Sequence, residues 1–293
     1  MGSNSLSHIV RCCMVLTLLT ALAAPVHGEA VTIASWNIEN LGEKSDIEQR
    51  AQVIEHFDIV ALQEVEALKG LKNLVSQVET NTGVDWEYVA SPLVGSGGAA
   101  EYYSFVYRTD RVTYIEDTSG VYPEPSPDDF SREPFYASFR AGSFDFTLIT
   151  VHITWGLFAR LRTEECRRLQ SVWSYVQHLD PAEDDLILLG DFNRDKPTHS
   201  AFNPLEELGI TPVLTAAGTR TTYGRTASGG NWYDHIWIDP DFTATELTAD
   251  IGTGTPAQNA AGGGCPSPLR SASDHCPIWA VFDTTEDDDP VCE

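Results

Sequence analysis

The chain is short of positive charge. Lys and Arg together supply 18 of the 293 residues, against 43 Asp and Glu, and the formal net charge is −25. Only four residues are lysine. This balance excludes recognition of nucleic acid through a broad basic surface, and it disfavours adhesion to anionic membranes. A ligand that carries phosphate would therefore need local help from a metal ion or from a few well-placed arginines.

Long apolar runs are also lacking. The most apolar stretch, Cys12 to Val26, spans about 15 residues, whereas a transmembrane helix needs about 20. Arg11 precedes it, and the small-residue stretch that ends at Gly28 follows it. We therefore predict that residues 1–28 are a secretory signal peptide, removed after Gly28, and not a retained membrane anchor.

Disorder is excluded as the main state, because 42% of the residues are hydrophobic and 10% are aromatic. No long Pro, Gly or Ser linker divides the chain, so residues 29–283 are predicted to form a single domain. The last residues, 284–293, are predicted to form an acidic, solvated tail.

Cysteine is scarce, at six residues. Two of them, Cys12 and Cys13, fall within the predicted signal peptide. In an oxidising compartment the remaining four predict two disulfides, with three possible pairings that the sequence does not choose between. No CxxC motif accompanies them, which favours a structural role. These four are Cys166, Cys265, Cys276 and Cys292.

Short apolar runs alternate with amphipathic stretches, a pattern typical of an α/β fold with sheets covered by helices. The run Leu186 to Leu189 has no polar alternation and predicts a strand buried on both faces. Ser45 and Glu48 have the spacing of a capping box that opens a helix, and a second helix is predicted over 161–179. Strands are predicted at Val31 to Asn37, Asp58 to Gln63, Ser104 to Arg108, Phe135 to Arg140, Phe144 to Ile153, Leu186 to Asp191, His235 to Ile238 and Pro277 to Phe282.

Polar residues cluster at the ends of these strands. A single Asp or Asn in such a place is usually a turn residue, but six strand ends carry polar residues that serve no obvious folding purpose. Their joint occurrence predicts a chemical site. They are Trp36-Asn37, Gln63-Glu64, His152, Gly190-Asp191-Phe192-Asn193, Tyr233-Asp234-His235 and Ser273-Asp274-His275.

These residue types suit hydrolysis of a phosphodiester. Mg²⁺ prefers carboxylate and amide oxygens, such as those of Glu64 and Asn37. Attack by water also needs a group that orients or deprotonates the water, here Asp191, and donors to the phosphate. A histidine that must stay cationic profits from a neighbouring carboxylate, because that charge raises its pKa.

The ordered motifs at these strand ends resemble those of the endonuclease/exonuclease/phosphatase superfamily, over about Ile33 to Phe282. Within it the chain is most similar to the pancreatic-type deoxyribonuclease branch. Two segments carry that closer likeness, Glu101 to Arg108 and Phe130 to Pro134. The resemblance implies a four-layered α/β sandwich, in which two packed mixed β-sheets are flanked by helices.

The resemblance also implies a role for each matching residue. One group binds the metal, two carboxylate–histidine pairs perform proton transfer and electrostatic stabilisation, and the others bind water and phosphate. The implied metal residues are Glu64 and Asn37 with Asp274 beside them; the pairs are Glu101 with His152 and Asp234 with His275; Asp191 and Asn193 act on the water and phosphate, and Arg132 binds phosphate.

Two residues depart from the pattern of that branch. Glu66 stands where those enzymes place an arginine that enters the minor groove, and Ala99 stands where they place a groove-reading tyrosine. A disulfide that follows the Asp-Phe-Asn motif in those enzymes has no counterpart, since residues 193–232 contain no cysteine. The catalytic set is therefore complete, whereas the contacts that grip a duplex are missing.

The implied function is that of a secreted, Mg²⁺-dependent endonuclease that cleaves DNA, with RNA as a second candidate substrate, and leaves 5′-phosphate ends. Mn²⁺ and Ca²⁺ are alternative metals. Nucleic acid is expected to be held weakly, by a monomer with no stable membrane association and no protein partner. The alternative is a phosphatase or phosphodiesterase of the same superfamily that acts on a lipid headgroup, an inositol phosphate or a small organophosphate; the Phe130 to Pro134 segment favours the nuclease. A binding module without catalysis would be expected to lack at least one motif residue, and all are present.

Overall fold

The computed structural model describes residues 29–126, 129–216, 219–223, 230–260 and 267–287. The predicted signal peptide and the end of the acidic tail lie outside these residues, as do Cys265 and Cys292. Within the described part of the chain, no helix is both long and apolar enough to cross a membrane.

Two mixed β-sheets form the centre of the molecule. The first has six strands in the order β12-β13-β1-β2-β4-β3; the second has seven, with β10-β11-β9-β8-β7-β5 in sequence and β6 paired to β7. The strands are β1 (Ala30–Leu41), β2 (Ile59–Val65), β3 (Trp86–Ala90), β4 (Tyr102–Arg108), β5 (Thr113–Tyr114), β6 (Gly120–Val121), β7 (Phe135–Ala141), β8 (Phe144–His152), β9 (Leu186–Asp191), β10 (Thr211–Pro212), β11 (Asp234–Ile238), β12 (Leu247–Thr253) and β13 (Ile278–Asp283).

Helices cover the outer faces of both sheets. They are α1 (Glu48–Ile54), α2 (Leu68–Thr82), α3 (Ala159–Leu179), α4 (Asn203–Glu207) and α5 (Pro256–Ala260), with short 3₁₀ turns at Gly97–Ala99 and Ser267–Ser271. Leu71 and Leu74 of α2 pack in the core on the first sheet, and Leu169 and Val172 of α3 pack in the core on the second. A third core fills the space between the sheets. The predicted four-layered sandwich is confirmed.

The core between the sheets is rich in phenylalanine. Phe105 stacks on Phe135 with ring centroids 5.4 Å apart, and Phe144 stacks on Phe282 at 5.6 Å. Each pair joins a strand of the first sheet to a strand of the second, so burial of these rings holds the two sheets face to face. The predicted strand over Leu186 to Leu189 is confirmed, and it is buried on both faces.

The predicted capping box at Ser45 is wrong. The helix α1 begins at Glu48, and Ile47 occupies the N-cap position without a side-chain cap. Ser45 lies too early in the chain, and its Oγ instead accepts from the N–H of Gly42 at 2.9 Å and donates to the carbonyl of Asn40 at 3.2 Å. The side chain therefore closes a turn instead of satisfying a helix donor.

The long helix α3 begins two residues before the predicted start, at Ala159. The predicted inner stripe is buried at Leu169, Val172, Trp173 and Val176, whereas Leu179 is half exposed at the last residue of the helix. Periodicity had placed Leu179 on the inner face, but at this end the helix extends beyond the sheet core.

The predicted pairing of the four cysteines after residue 28 into two disulfides is wrong. Cys166 is a free, fully buried thiol on the inner face of α3, 3.9 Å from the carbonyl oxygen of Phe192. Burial raises the pKa of this thiol, so it is held in the neutral form. Cys276 is disulfide-bonded. The two other cysteines of the predicted set, Cys265 and Cys292, lie outside the described residues.

The start of the predicted acidic tail packs on the domain. Thr284 donates its N–H to the carbonyl of Glu29 at 3.1 Å and accepts the N–H of Ser143 at 2.9 Å. The carboxylate of Asp287 accepts the N–H of Asp145 at 2.9 Å. Residues 284–287 are thus held near the β7–β8 turn and do not extend freely into solvent.

His235 is a core residue, although it belongs to one of the polar motifs at the strand ends. Its ring is 1% exposed, lies 5.2 Å from the ring of Phe192, and donates from Nε2 to the carbonyl of Arg194 at 3.0 Å. Burial lowers the pKa of His235 to about 4. The unfolded chain therefore binds a proton here between pH 6.5 and 4 that the folded chain does not, and stability falls as the pH falls through this window.

We expect the variant His235→Leu to lose part of this acid sensitivity. The free energy of unfolding of the native protein should fall more steeply between pH 7 and pH 5, by up to about 1.4 kcal/mol per pH unit, than that of the variant. Urea unfolding at three pH values measures both slopes, and the same substitution at the exposed His56 is the control. Parallel slopes for the native protein and His235→Leu would contradict the assignment.

Candidate active site

The strand register brings three of the predicted residues side by side. His152, at the end of β8, pairs with Asp191 at the end of β9, and Asp191 pairs with Asp234 at the start of β11. Parallel β8 and β9 end at the same edge of the second sheet, and antiparallel β11 begins there. The fold therefore places these three side chains in a row at one edge.

Asp191 lies between the two predicted histidines. Its Oδ2 is 3.6 Å from Nε2 of His152 and 3.6 Å from Nε2 of His275. The carboxylate is almost fully buried, and it accepts the Asn37 amide at 3.2 Å. A carboxylate with imidazole nitrogens on both sides is placed to accept a proton from a water molecule and to hold both rings in position.

His152 forms the first carboxylate–histidine pair, with Glu101. Its Nδ1 lies 3.0 Å from both carboxylate oxygens of Glu101. Burial is the largest influence on the pKa of His152 and lowers it, but the charge and hydrogen bond of Glu101 together with the charge of Asp191 outweigh burial and raise the pKa. Burial would raise the pKa of Glu101, and the charges of His152 and Arg132 lower it instead. Both pKa shifts favour the ionised pair, and Nε2 is directed toward Asp191.

His275 forms the second pair, with Asp234. Its Nδ1 is 2.9 Å from Oδ2 of Asp234. Burial opposes the charged ring, but the charges of Asp234 and Asp191 raise the pKa of His275 to about 10. This imidazole is cationic at neutral pH. Among the ion pairs of the described residues, the fully buried Asp234 pairs with His275 alone.

The loop that carries His275 is fixed to β1. Ser273 donates from Oγ to the carbonyl of Asn37 at 2.7 Å and accepts the N–H of His275 at 2.9 Å. The indole N–H of Trp36 donates to the carbonyl of His275 at 2.9 Å. The Trp-Asn and Ser-Asp-His motifs, far apart in sequence, are thus joined by two hydrogen bonds to backbone carbonyls.

Asn37 and Glu64 form the predicted metal-binding pair. The Asn37 amide donates to Oε1 of Glu64 at 2.9 Å, and the N–H of Asn40 donates to Oε2 at 3.1 Å. Glu64 has a φ of 61°, a left-handed conformation that is uncommon outside glycine and clusters at functional sites. Its side chain remains a quarter exposed, so a hydrated cation can approach it.

Asp274 is exposed, and its predicted place beside the metal stays a prediction. Its N–H donates to Oε2 of Glu39 at 2.8 Å. Burial raises the pKa of Glu39, and the charges of Asp274 and Glu64 raise it further. Glu39 and Asp274 thus add negative charge near the Asn37–Glu64 pair, and this charge favours the approach of a hard divalent cation. Glu39 was missed by the sequence analysis, although it follows Asn37 by only two residues.

A second group of side chains has metal-ligand spacing. One ligand atom each from Asp191, Asp234 and His275 lies within 4.8 Å of the others, and this buried group could hold a metal ion. However, His275 contacts Asp234 through Nδ1 and has a raised pKa, which indicates that its imidazole is protonated. A cation bound there would have to displace that proton, because a metal-ligating histidine is neutral.

Arg132 is buried behind the first pair. It donates from Nε to the carbonyl of His152 at 3.1 Å and from Nη1 to that of Ala99 at 3.3 Å, and it lies 3.7 Å from Glu101. The side chain is 8% exposed. In this arrangement Arg132 orients Glu101 and His152. Its predicted contact with phosphate would use the guanidinium protons not engaged by these groups and stays a prediction.

The Gly-Asp-Phe-Asn turn is sterically specific. Gly190 has a φ of 147°, and a Cβ there would overlap the carbonyl oxygen of Val151. Asn193 adopts a φ of 46° and donates its N–H to Oδ1 of Asp191 at 2.8 Å. Its side-chain amide donates to the carbonyl of Ile153 at 2.9 Å. Asn193 therefore braces Asp191, and its predicted bond to phosphate stays a prediction.

Two buried polar residues connect the sheets under the site. Gln63 donates to Thr150 Oγ1 at 2.9 Å and to Ser35 Oγ at 3.1 Å. The hydroxyl of Tyr103 accepts the N–H of His152 at 2.9 Å. The polar strand-end motifs included Gln63 but not Tyr103, because a tyrosine within an apolar strand such as β4 is typical of an ordinary core residue.

Fold and site together define a phosphoesterase-type centre: paired histidines around one carboxylate, beside an amide–carboxylate pair, at the edge of a four-layered sandwich. The profile of the Endonuclease/Exonuclease/phosphatase family matches residues 34–275, and the chain belongs to this family.

Named relatives include deoxyribonucleases. The chain is 32% identical over 241 residues to a deoxyribonuclease of Thioalkalivibrio sp. (strain K90mix), an alignment that covers 80% of this chain and 65% of that protein. It is 27% identical over 290 residues to canine deoxyribonuclease-1, covering 89% of this chain and 94% of that protein. The chain thus spans just under two thirds of the length of the bacterial relative.

Solved structures agree on the fold. A 3′ phosphatase from Neisseria, bound to a product DNA hairpin, superimposes with a TM-score of 0.61 at 20% identity and covers 86% of this chain and 99% of that one. At this identity the likeness supports the architecture alone.

Proposed function

We propose that the protein is a secreted, Mg²⁺-dependent endonuclease that hydrolyses DNA to products with 5′-phosphate ends. The observation that carries this proposal is the placement of Asp191 at 3.6 Å from Nε2 of both histidines. The likeness to deoxyribonucleases supports DNA as the substrate over other phosphodiesters.

The chain's own residues divide the work. Asp191 orients a water molecule and accepts its proton. His152, held cationic by Glu101, protonates the leaving oxygen, while His275, held cationic by Asp234, stabilises negative charge on the phosphate. A Mg²⁺ ion held by Glu64 and Asn37, near Asp274, supplies further positive charge beside the phosphate oxygens when bound. Mn²⁺ and Ca²⁺ suit the same oxygen donors.

The proposed grip on DNA is weak. The net charge is −25, and the exposed Glu66 and the small Ala99 supply neither cation nor ring to the substrate. The carbonyl of Ala99 instead accepts Arg132. Capture therefore depends on the metal and the two histidines, and these few phosphate contacts give a weak, salt-sensitive grip. The proposal of secretion depends on the predicted signal peptide, residues 1–28. The proposal of a monomer depends on the resemblance.

Product analysis tests the proposal. The mature chain is incubated in Mg²⁺ with supercoiled plasmid, single-stranded DNA and RNA, and in parallel with sphingomyelin and phosphoinositides. We expect nicked and then linear plasmid, with ends that ligate without prior phosphorylation because they carry 5′-phosphate. An Asp191→Asn preparation excludes a contaminating nuclease. Hydrolysis confined to the lipid panel, or ends that need phosphorylation, would contradict the proposal.

A further inference from the structure

Exposed apolar side chains concentrate in one segment beside the candidate site. We call residues 154–158 the Trp155 loop. Trp155 is 71% exposed, Leu157 97% and Phe158 72%, and Leu161 on the next turn is 49% exposed. Among the other large apolar residues that are exposed in the described chain, Leu208 and Phe242 line a common surface pocket, and only one of these residues, Phe242, is aromatic. A cluster that includes two aromatic rings marks an interaction site.

The Trp155 loop starts at the catalytic edge. The carbonyl of Ile153 accepts the Asn193 amide at 2.9 Å, and the N–H of Thr154 donates to Oε2 of the buried Glu165 at 2.9 Å. Trp155 follows His152 by three residues, so their Cα atoms are at most about 11 Å apart. A group that rests on Trp155 is therefore within one or two nucleotides of the reacting phosphate.

The loop backbone is held in place. Arg162 donates to the carbonyl of Gly156 at 2.7 Å, and Arg194 donates to the carbonyl of Ala159 at 2.6 Å. The other oxygen of Glu165 accepts the N–H of Ser131, which ties the loop to the segment that carries Arg132. The rings are thus presented to solvent by an anchored backbone, and less entropy is lost when they bind a ligand.

Local charge around the loop is opposite to that of the whole molecule. Residues 155–170 carry four arginines against two glutamates, in a chain with a net charge of −25. Glu165 is buried, and Arg160 is exposed next to the rings. An exposed cation, Arg160, next to exposed rings forms a surface complementary to a ligand with negative charges and flat apolar faces. Single-stranded nucleic acid has both features, since its bases stack on aromatic side chains and its phosphates pair with arginine.

We propose that the Trp155 loop is a stacking platform for unpaired bases, and that the preferred substrate is single-stranded or locally unpaired nucleic acid. The choice of ligand rests on the proposed function. A base can stack on Trp155 or Phe158 only when its face is free, which a continuous duplex prevents. The absence of duplex-gripping side chains at Glu66 and Ala99 is consistent with this preference.

Binding without cleavage tests the platform. Trp155→Ser/Phe158→Ser is compared with Leu208→Ser/Phe242→Ser, which removes two exposed apolar side chains elsewhere. Anisotropy of a labelled oligothymidylate is measured in chelator at low salt. We expect the loop variant to raise Kd by at least about tenfold, and the control variant to leave it unchanged. Equal Kd values for the loop variant and the native protein would overturn the proposal.

Kinetics locate the effect. In Mg²⁺, the loop variant should lose at least about tenfold in kcat/KM on single-stranded DNA, with little change on bis(p-nitrophenyl) phosphate or on an abasic oligonucleotide. An equal loss on all three would indicate damage to the site and overturn the platform. Binding to anionic phospholipid vesicles that is lost in the variant, with oligonucleotide binding unchanged, would assign the loop to a membrane instead. Oligonucleotide that is bound through the loop but never cleaved would contradict the proposed function and not the platform.

Discussion

Alanine at either His152 or His275 is expected to lower kcat for DNA hydrolysis by about 10²- to 10⁴-fold, as for loss of a general acid or an electrostatic stabiliser. The double variant should lose more than either single one, but less than their product. Both rings contact the same oxygen of Asp191, and residues that act as a unit are not additive.

The leaving group separates the two roles. A p-nitrophenolate leaves without protonation, so the defect of His152→Ala should shrink on a p-nitrophenyl diester. The defect of His275→Ala should persist, because charge still develops on the phosphate. Steady-state kinetics on DNA and on this diester measure both, with alanine at the exposed His56 and His178 as the control. A double variant with near-native activity would refute the site, and identical profiles for the two single variants would refute the division of labour.

Much of the site could be predicted because strand ends obey simple geometry. Polar residues that follow buried strands meet at one edge of a sheet, and the register of His152, Asp191 and Asp234 realises this directly. Buried strands such as Leu186 to Leu189 can be recognised from an unbroken run of hydrophobic residues. The order of the motifs then identified the family without any knowledge of the three-dimensional contacts.

The parts that escaped depend on contacts between distant segments. Glu39 joins the acidic group because the loop at Asp274 lies against it, and nothing local signals that approach. Arg132 points inward because three backbone carbonyls and Glu101 receive it. Cys166 is free because its helix face is sealed in the core. For Cys166, tertiary packing overturned a prediction based on residue type; for Glu39 and Arg132, it created contacts that the residue type alone does not indicate.

The chain offers two places for a metal ion, and they differ in charge. At Glu64 and Asn37, carboxylate and amide oxygens face a neighbourhood in which Glu39 and Asp274 add negative charge. At Asp191, Asp234 and His275, a cationic imidazole already offsets one of the two carboxylate charges. Mg²⁺ prefers oxygen ligands and keeps several waters, so it needs an open position. The partly exposed Glu64 provides one, and the buried trio does not.

Chelation is therefore expected to abolish hydrolysis, and Mg²⁺ to restore it. Glu64→Gln should raise the Mg²⁺ concentration needed for half-maximal activity by at least about 100-fold, since loss of even an outer-shell partner costs 10- to 100-fold in metal affinity. Glu66→Gln removes the same charge two residues away and should leave this requirement nearly unchanged. Asp234→Asn should lower kcat, because His275 loses its charged partner, but it should leave the Mg²⁺ requirement unchanged. Activity titrations and calorimetric Mg²⁺ binding measure these effects. If the Mg²⁺ requirement shifted in Asp234→Asn but not in Glu64→Gln, the ion would lie among Asp191, Asp234 and His275. The cationic role of His275 would then have to be abandoned, because a ligating imidazole cannot carry the extra proton.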